Sequence, residues 1–402
     1  LPRIKFDFPS ISKLILKPTK MRRIFSLLPL FSLASSLVGK QLPTKKVAKV
    51  FAKPSFQNLH SYDTLLPALA SNPSSSSHHV KIQSLQRVTK TLIHQSAHQR
   101  TSFTYTDLTN LEQIITHLAT TISSLPPQSI STLTNDILQP LLRLFPLSEP
   151  IGNFATDVVL SSDPTTSSIT DKFQVNVVCQ LLSTPPIYPS LPLPFQFHPN
   201  LFDDSTINKK LDDNEIGFKS RKMLPSFSTS SPTVDFTERR KTAYLSSDLS
   251  ITKPWRYGKL VSPLLPAPMP SSLLQVSKLV TSKISSSPSF DACLANLYPP
   301  GSSTGMSWHS DPDQGTLFDN FTAVASVGES ALFKIRPTLE KTSYNSSNND
   351  VVKLCVFGGD VVVMFDDCQK LFEHCIDDRK IGLRKESSGG GSRASLVFKK
   401  SL

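Results

Sequence analysis

Residues 236–402 predict a mainly β domain, a sandwich or barrel with one helix in front of it. Short runs of β-branched residues follow one another here, separated by turn residues such as Gly328 and Gly358-Gly359. No long helical pattern comes between these runs, which argues against alternating βα units. A strand-like segment over Arg239–Leu245 and a helix over Leu273–Ile284 come first. The expected strands that follow are Ala292–Tyr298, Thr322–Val327, Ala331–Ile335, Val351–Phe357, Val361–Phe365 and Ala394–Phe398.

The residues before this domain divide into three further parts. Apolar residues between positions 80 and 183 recur at spacings of three and four, which predicts a helical accessory region. Within it, Thr109 and Glu112 have the spacing of a capping box and predict the start of a helix. Residues 184–235 are rich in Pro and Ser and predict an irregular connection. Residues 1–75 predict a basic, disordered tail.

The net charge of +12 belongs almost entirely to this tail. Residues 1–60 hold twelve Lys or Arg and one acid, Asp7, so that residues 61–402 carry a net charge of only +1. A basic, acid-poor segment is typical of a targeting sequence, although it also fits an arm that contacts nucleic acid or a tail without structure. If translation starts at Met21, the apolar stretch Ile24–Val38 follows, which is too short to span a bilayer and suits a targeting segment. We therefore expect a mitochondrion or plastid, or otherwise the nucleus or cytoplasm.

Cysteine usage points to a reducing compartment. The chain has an odd number of cysteines, five, and no CxxC pair, which argues against a disulfide scaffold and against a structural zinc site. We also see no transmembrane helix elsewhere in the sequence, and we expect no stable membrane insertion.

The tetrapeptide Trp308-His309-Ser310-Asp311 is the best candidate for chemistry. A His and an Asp two residues apart can direct an imidazole and a carboxylate at one point from the end of a strand, and His374 is the best candidate for a third ligand. Two His and one carboxylate leave three metal positions open, which is the ligand set of non-haem Fe(II) oxygenases. The alternative is a strand-end His next to a turn Asp without a metal. We place both His309 and His374 at or just beyond strand ends, at the mouth of a barrel.

The tetrapeptide belongs to an ordered series of short motifs. In chain order they are Asn296-x-Tyr298, Trp308-His309-Ser310-Asp311, Ser326-Val327-Gly328, Ala331-Leu-Phe-Lys334, Gly359-Asp360-Val-Val-Val-Met364, His374 and Arg393-Ala-Ser-Leu-Val-Phe-Lys399. With this series, residues 235–400 resemble the AlkB-like Fe(II)/2-oxoglutarate dioxygenases. The stretches Met364-Phe-Asp-Asp367 and His374-Cys375 are also similar to the fat-mass-and-obesity (FTO) type RNA demethylase branch, over a short length. The resemblance implies a double-stranded β-helix, or jelly roll, with flanking helices, and Fe(II), 2-oxoglutarate and O2 as cofactor and co-substrates.

The resemblance also assigns residues to 2-oxoglutarate. Arg393 would pair with its distal carboxylate through a planar guanidinium. Asn296 and Tyr298 lie two apart on one strand, face the same side, and would hydrogen-bond the same molecule, although Tyr298 alone also fits a core aromatic. Lys399 stands where the family usually has a second Arg, near the metal-chelating end of the co-substrate. A Lys at this position keeps the positive charge but loses the planar fork of an Arg. The alternative is that Lys399 is a surface residue at the end of the chain.

Substrate contacts follow from the same resemblance. Asp313 matches a position that reads the damaged base, and four residues resemble a lid that could hold a flipped base and its phosphates. The alternative is a loop of Pro, Trp and Tyr packed on the core. The lid residues are Arg240, Tyr244, Trp255 and Tyr257.

The implied function is oxidative demethylation of N-methylated bases in DNA or RNA, a DNA-repair type of reaction that releases formaldehyde, succinate and CO2. His309, Asp311 and His374 are the expected catalytic metal ligands, and the expected enzyme is a monomer that binds nucleic acid. Two alternatives stay open: a dioxygenase that acts on a protein side chain, and a non-catalytic binding protein on a degenerate jelly roll. The net charge of only +1 over residues 61–402 argues against a broad phosphate-binding surface.

Overall fold

Helices precede two β-sheets in the part of the chain that the structure, a computed structural model, describes. The predicted tail and the lid residue Tyr257 lie outside this part. The described residues are 78–97, 105–122, 125–162, 168–210, 215–223, 236–248, 250, 254–255, 260, 262–285, 287–299, 305–338, 351–377 and 392–402.

The first described elements are helical and share a core of their own. Leu85, Leu111 and Leu118 are fully buried in this core. The helices begin two residues ahead of the stretch for which the sequence predicts a helical region. They are α1 His78–Ala97, α2 Tyr105–Ala119, α3 Pro127–Thr132, a π-helical segment Leu133–Leu138, α4 Gln139–Leu144, α5 Glu149–Leu160 and α6 Ile169–Leu181.

The capping box predicted at Thr109 and Glu112 is wrong, because α2 starts at Tyr105 and contains both residues. The Glu112 carboxylate instead accepts a hydrogen bond from Ser148 Oγ at 2.6 Å. Ser148 is the N-cap of α5, where its hydroxyl also accepts from the amide of Ile151. Glu112 therefore connects two helices of the region and does not begin one.

The larger sheet, which we call the major sheet, has the strand order β1-β10-β7-β12-β5-β3-β2, and β4 pairs with β3. All its pairs are antiparallel except β3–β4. Helix α8, Ser271–Lys283, packs against one side of it. Its strands are β1 Phe195–His198, β2 Lys219–Met223, β3 Phe236–Ser246, β4 Ala267–Pro268, β5 Ala292–Tyr298, β7 Phe318–Gly328, β10 Val361–Met364 and β12 Arg393–Ser401.

The smaller sheet, the minor sheet, has the antiparallel order β6-β11-β8-β9. Two antiparallel sheets with flanking helices confirm the expected mainly β jelly-roll class. The strands of the minor sheet are β6 Met306–His309, β8 Ala331–Pro337, β9 Val352–Val356 and β11 Phe372–Asp377, and the short helix α9 Cys368–Leu371 precedes β11.

Alternation along the strands separates two faces of the major sheet. On the outer face, Ala394, Leu396 and Phe398 of β12 pack in one apolar cluster with α8. On the inner face, Val397 packs in a second cluster with minor-sheet residues such as Phe333. The space between the sheets is therefore the place where inward polar side chains of β5 and β12 meet.

The predicted irregular connection over residues 184–235 is wrong in part. It contains β1, β2 and the short helix α7, Ser205–Lys210. Strand β1 pairs with β10 with Phe195 opposite Met364, and β2 pairs with β3. These strands have four and five residues, so their alternation is too short to stand out in a Pro-rich sequence. The β domain accordingly begins well before residue 236.

The helical region contacts the β domain through buried polar groups. Arg143 of α4 donates to both carboxylate oxygens of Asp360 at 2.8 and 2.9 Å, and Asp360 is fully buried. The side-chain amide of Gln174 donates to the backbone carbonyl of Lys353 in β9 at 2.7 Å. These contacts hold the helices against β9, the edge strand of the minor sheet, and against the turn between β9 and β10.

Two further expectations concern the whole described chain. All five cysteines are buried and free. Among the described helices, none combines the length and apolar composition needed to cross a bilayer.

Candidate active site

The structure brings His309, Asp311 and His374 together, although their roles as ligands stay predictions. One ligand atom of each lies within 4.8 Å of the others. His309 ends β6 and is paired directly across the strands with His374 of β11, with ring centroids 4.3 Å apart. Asp311 Oδ1 lies 3.7 Å from Nε2 of each imidazole. His374 is the third residue of β11, so its expected position at or beyond a strand end is wrong.

Hydrogen bonds orient the His309 side chain and fix the backbone at Asp311. Nδ1 of His309 lies 2.8 Å from the carbonyl of Ser307, which can only accept, so Nδ1 carries the proton and Nε2 is free to bind a metal. The Asp311 amide donates to Gln369 Oε1 of α9 at 2.7 Å. Ser310 Oγ donates to the carbonyl of Phe372 at 3.0 Å. The turn after β6 is thereby tied to α9 and to β11, the strand that carries His374.

The electrostatics of this cluster keep its groups in the forms that bind metals. Burial alone raises the pKa of Asp311, but the positive charge of Lys399, with smaller contributions from the two imidazoles, outweighs burial and holds this pKa well below its usual range. Burial lowers the pKa of His374 to about 3, with smaller contributions from neighbouring charges. An ionised carboxylate and a neutral imidazole are what a divalent metal requires.

Lys399 is not a surface residue, and that alternative is wrong. It is 1% exposed and lies on the inner face of β12, in register with Thr322 of β7. Its Nζ donates to Asp311 Oδ2 at 2.8 Å and to Thr322 Oγ1 at 3.3 Å. The residue that departs from the family pattern is therefore in direct contact with a candidate metal ligand.

The other residues expected to bind the co-substrate lie at the opposite end of the same inner face. Arg393 is in register with Tyr298 and lies 5.0 Å from its ring centroid. Asn296 is fully buried in register with Ser395. Within the described residues, neither the Asn296 amide nor the Tyr298 hydroxyl has a hydrogen-bond partner.

Buried polar atoms without partners are costly, so a ligand with its own donors and acceptors fits this place. Arg393, 3% exposed, adds a buried cation for a carboxylate. The donor set therefore fits 2-oxoglutarate, a dicarboxylate with a keto group.

The lid residues are placed differently from the expectation. Tyr244 and Trp255 are buried and pack edge to face at 5.4 Å, which matches the packed-loop alternative and leaves neither ring open for a base. Trp255 Nε1 donates to Asp313 Oδ2 at 2.9 Å, so this carboxylate already serves a protein donor. Arg240 is buried, pairs with Glu238 at 2.5 Å and contacts Met306 Sδ.

Sequence reasoning missed three residues that surround the metal cluster: Gln314, Thr322 and Gln369. All three hold Asp311 or Lys399 in place. Thr322 lies in a predicted strand, and its alternation with Val324 and Ser326 could have placed it on the inner face. Gln314 comes from the turn before β7 and Gln369 from the four-residue helix α9, and neither segment is long enough to carry a comparable periodic signal.

A jelly roll with two imidazoles and one carboxylate around one point defines the class of non-haem metal enzymes. Residues 220–399 match the model of the 2OG-Fe(II) oxygenase superfamily, so this part of the chain is a 2OG-Fe(II) oxygenase domain. The protein is a 2-oxoglutarate-dependent dioxygenase, an oxidoreductase, and the superfamily uses Fe(II), 2-oxoglutarate and O2. The expected AlkB-like resemblance is confirmed at the level of this superfamily.

Similar solved structures include one described as "The structure of OsALKBH1", at 16% identity, with 52% of this chain and 100% of that chain covered and a TM-score of 0.33. Another is an oxidoreductase of the 2OG-Fe(II) oxygenase family from Burkholderia pseudomallei, at 12% identity, with 58% and 91% covered and a TM-score of 0.31. Because both TM-scores are below 0.5, the assignment rests on the family match. No curated protein was found that matches the chain.

Proposed function

We propose that this dioxygenase oxidatively demethylates N-methylated bases in DNA or RNA, with His309, Asp311 and His374 as iron ligands. The observation that supports the oxygenase activity is the arrangement between the two sheets. The three proposed ligands lie together there, and the polar atoms of Asn296 and Tyr298 have no partner among the described residues. The nucleic-acid part extends the sequence resemblance.

The chain's own residues have distinct roles in this proposal. Bound Fe(II) with 2-oxoglutarate and O2 supplies the oxidation of the methyl C–H bond. Two His and one carboxylate bind the metal and leave three positions for the co-substrates. Arg393 holds the distal carboxylate, and Asn296 and Tyr298 orient the molecule by hydrogen bonds. The surrounding apolar residues, such as Phe318 and Phe333, exclude water.

A basic edge on the major sheet favours nucleic acid over a protein side chain as substrate. Lys219 and Lys222 of the edge strand β2 and Lys241 of β3 are exposed, and none forms an ion pair with another described residue. The register places Lys219 beside Thr242 and Thr242 beside Asn296, so this edge is two strands from the co-substrate residues. Unpaired cations at this position suit a phosphate backbone. We call these three lysines the basic edge.

Formaldehyde release tests the proposal. Purified protein with Fe(II), ascorbate and 2-oxoglutarate is incubated with a panel of methylated DNA and RNA oligonucleotides, with Asp311→Ala as the inactive control. We expect formaldehyde from at least one methylated oligonucleotide. Succinate production without formaldehyde from any member of the panel would retain the oxygenase and refute the nucleic-acid substrate.

The second candidate substrate is a protein side chain. It rests on the net charge of only +1 over residues 61–402. Single-stranded oligonucleotide binding that weakens as salt is raised argues against it, because phosphate contacts release counterions. No salt-dependent binding, together with hydroxylation or demethylation of a peptide library, would favour it.

A further inference from the structure

We propose that Lys399 is a positioning residue for the metal ligand Asp311 and takes no part in binding 2-oxoglutarate. This inference rests on the metal site of the proposed function and deepens it. It also separates two cations, Arg393 and Lys399, that the sequence resemblance places in one co-substrate site.

The first support is the place of Lys399 in the barrel. Arg393 and Lys399 both lie on the inner face of β12, six residues apart, which is about 20 Å along an extended strand. Arg393 is beside Tyr298 at one end of this face, and the Lys399 ammonium is beside Asp311 at the other. The two cations therefore serve opposite ends of the site.

The second support is that protein acceptors occupy the ammonium group. Lys399 Nζ donates to Asp311 Oδ2 at 2.8 Å and to Thr322 Oγ1 at 3.3 Å. The hydrogen bonds around Gln314 favour the amide orientation in which its oxygen accepts from Lys399 at 2.7 Å and from Thr322 at 2.8 Å. In that orientation the Gln314 nitrogen donates to the carbonyl of Asp319. A lysine has three donors, so none is left for a carboxylate of the co-substrate.

The third support is the geometry that this contact gives to the Asp311 carboxylate. Lys399 occupies Oδ2, and Oδ1 faces both imidazoles at 3.7 Å. A carboxylate held in this way offers one oxygen to the metal. Binding through one oxygen leaves the three open positions that the two co-substrates need.

The metal half of the test measures Mn(II) affinity by isothermal titration calorimetry without 2-oxoglutarate. The wild type is compared with Lys399→Met and with a control variant, Lys400→Met. Lys400 is the next residue of β12, and its side chain is 41% exposed and pairs with Asp291. We expect Lys399→Met to weaken Mn(II) binding about tenfold or more, as loss of a group that orients a ligand does, and Lys400→Met to leave it unchanged. Unchanged or tighter binding in Lys399→Met overturns the inference. If Lys399→Met does not fold by circular dichroism, Lys399→Gln replaces it with the same expected loss.

The co-substrate half titrates 2-oxoglutarate into protein saturated with Mn(II). We expect Lys399→Met to keep the wild-type affinity within about threefold, whereas Arg393→Met loses about tenfold or more because a buried carboxylate loses its cation. A loss in Lys399→Met as large as in Arg393→Met overturns the inference. Failure of the wild type to bind Mn(II) would instead refute the metal site itself, and the inference with it.

Discussion

At the scale of single residues, two hydrogen bonds and the burial of one imidazole prepare the metal cluster before any metal binds. The carbonyl of Ser307 sets the tautomer of His309, Gln369 holds the backbone of Asp311, and burial keeps His374 neutral. The two hydrogen-bond acceptors lie in different elements, Ser307 in β6 and Gln369 in α9. The cluster is therefore organised both by its own strand and by a helix distant in sequence.

The ligand assignment predicts a loss of metal binding in Asp311→Ala and His374→Ala. We expect each to weaken Mn(II) binding at least about a hundredfold, because the variant loses one of three donors and places a cavity at the site. Calorimetry and the shift of the unfolding temperature on adding Mn(II) measure the effect. His79→Ala, at an exposed position of α1, is the matched control. Retained binding in either ligand variant contradicts the assignment.

The lowered pKa of His374 predicts how stability changes with pH in the metal-free protein. The folded state holds this imidazole neutral down to about 3, whereas the unfolded chain takes up a proton near the ordinary value of 6.5. Between these values the unfolded state binds more protons, so the free energy of unfolding decreases as the pH is lowered, by up to about 1.4 kcal/mol per pH unit. Urea unfolding at pH 7 and pH 5 measures the decrease. His374→Gln should remove it, and an equal decrease in this variant would contradict the assignment.

At the scale of elements, length and alternation decided which strands could be predicted. Strands β5, β7, β8, β9, β10 and β12 agree with runs of apolar, β-branched residues. Strands β1, β2, β6 and β11 are short or polar. Pairing with neighbouring strands stabilises them more than the intrinsic β-propensity of their own residues does. The capping box predicted within α2 was wrong for a related reason, because the Glu112 carboxylate accepts a hydrogen bond from Ser148 at the start of another helix.

The contact between α4 and the β domain predicts a large loss of stability in Arg143→Met. Asp360 is fully buried and accepts from Arg143 and from the amides of Asn200 and Phe357, so removing the arginine leaves a buried carboxylate without its cation. We expect a loss of about 3–5 kcal/mol in the free energy of unfolding. Lys370→Met, which removes an exposed pair with Asp367, should cost at most about 1 kcal/mol. Equal effects in urea unfolding would contradict the structural role of the buried pair.

At the scale of the whole molecule, charge is distributed unevenly. The excess of Lys and Arg lies in residues 1–60, outside the described part, and the rest of the chain is close to neutral. The basic edge is therefore a local feature that a count of net charge does not reveal. A monomeric state, a targeting role for the tail and the identity of the substrate stay predictions.

The basic edge predicts a salt-dependent contribution to oligonucleotide binding. Replacing Lys219, Lys222 and Lys241 by Ala should weaken binding of a single strand and reduce the slope of log K against log salt by about 2, because each phosphate contact contributes about 0.7. Fluorescence anisotropy at several salt concentrations measures the slope. A triple Ala variant of exposed lysines on α7 and α8 is the control, with the same change in charge. An equal effect of both variants would argue against a specific basic edge. The control positions are Lys209, Lys278 and Lys283.

The tail predicts a change of compartment when it is removed. A fluorescent fusion with residues 21–60 should accumulate in an organelle, and one without them should remain diffuse, because a basic, acid-poor segment is typical of a targeting sequence. The same distribution of both fusions would favour the nucleic-acid arm or the unstructured tail.

The sequence by itself determined the class of fold, the enzyme class and the candidate ligands. Alternating β-branched runs specify strands locally. His309, Asp311 and His374 stand in one ordered series with Asn296, Tyr298 and Arg393, which indicated the ligands. Only the tertiary structure decided the contact of Lys399 with Asp311, the hydrogen bond from Trp255 to Asp313 and the hydrogen bond between Gln369 and the Asp311 amide. These depend on which strands become neighbours and which side chains are removed from water, and long-range pairing decides both.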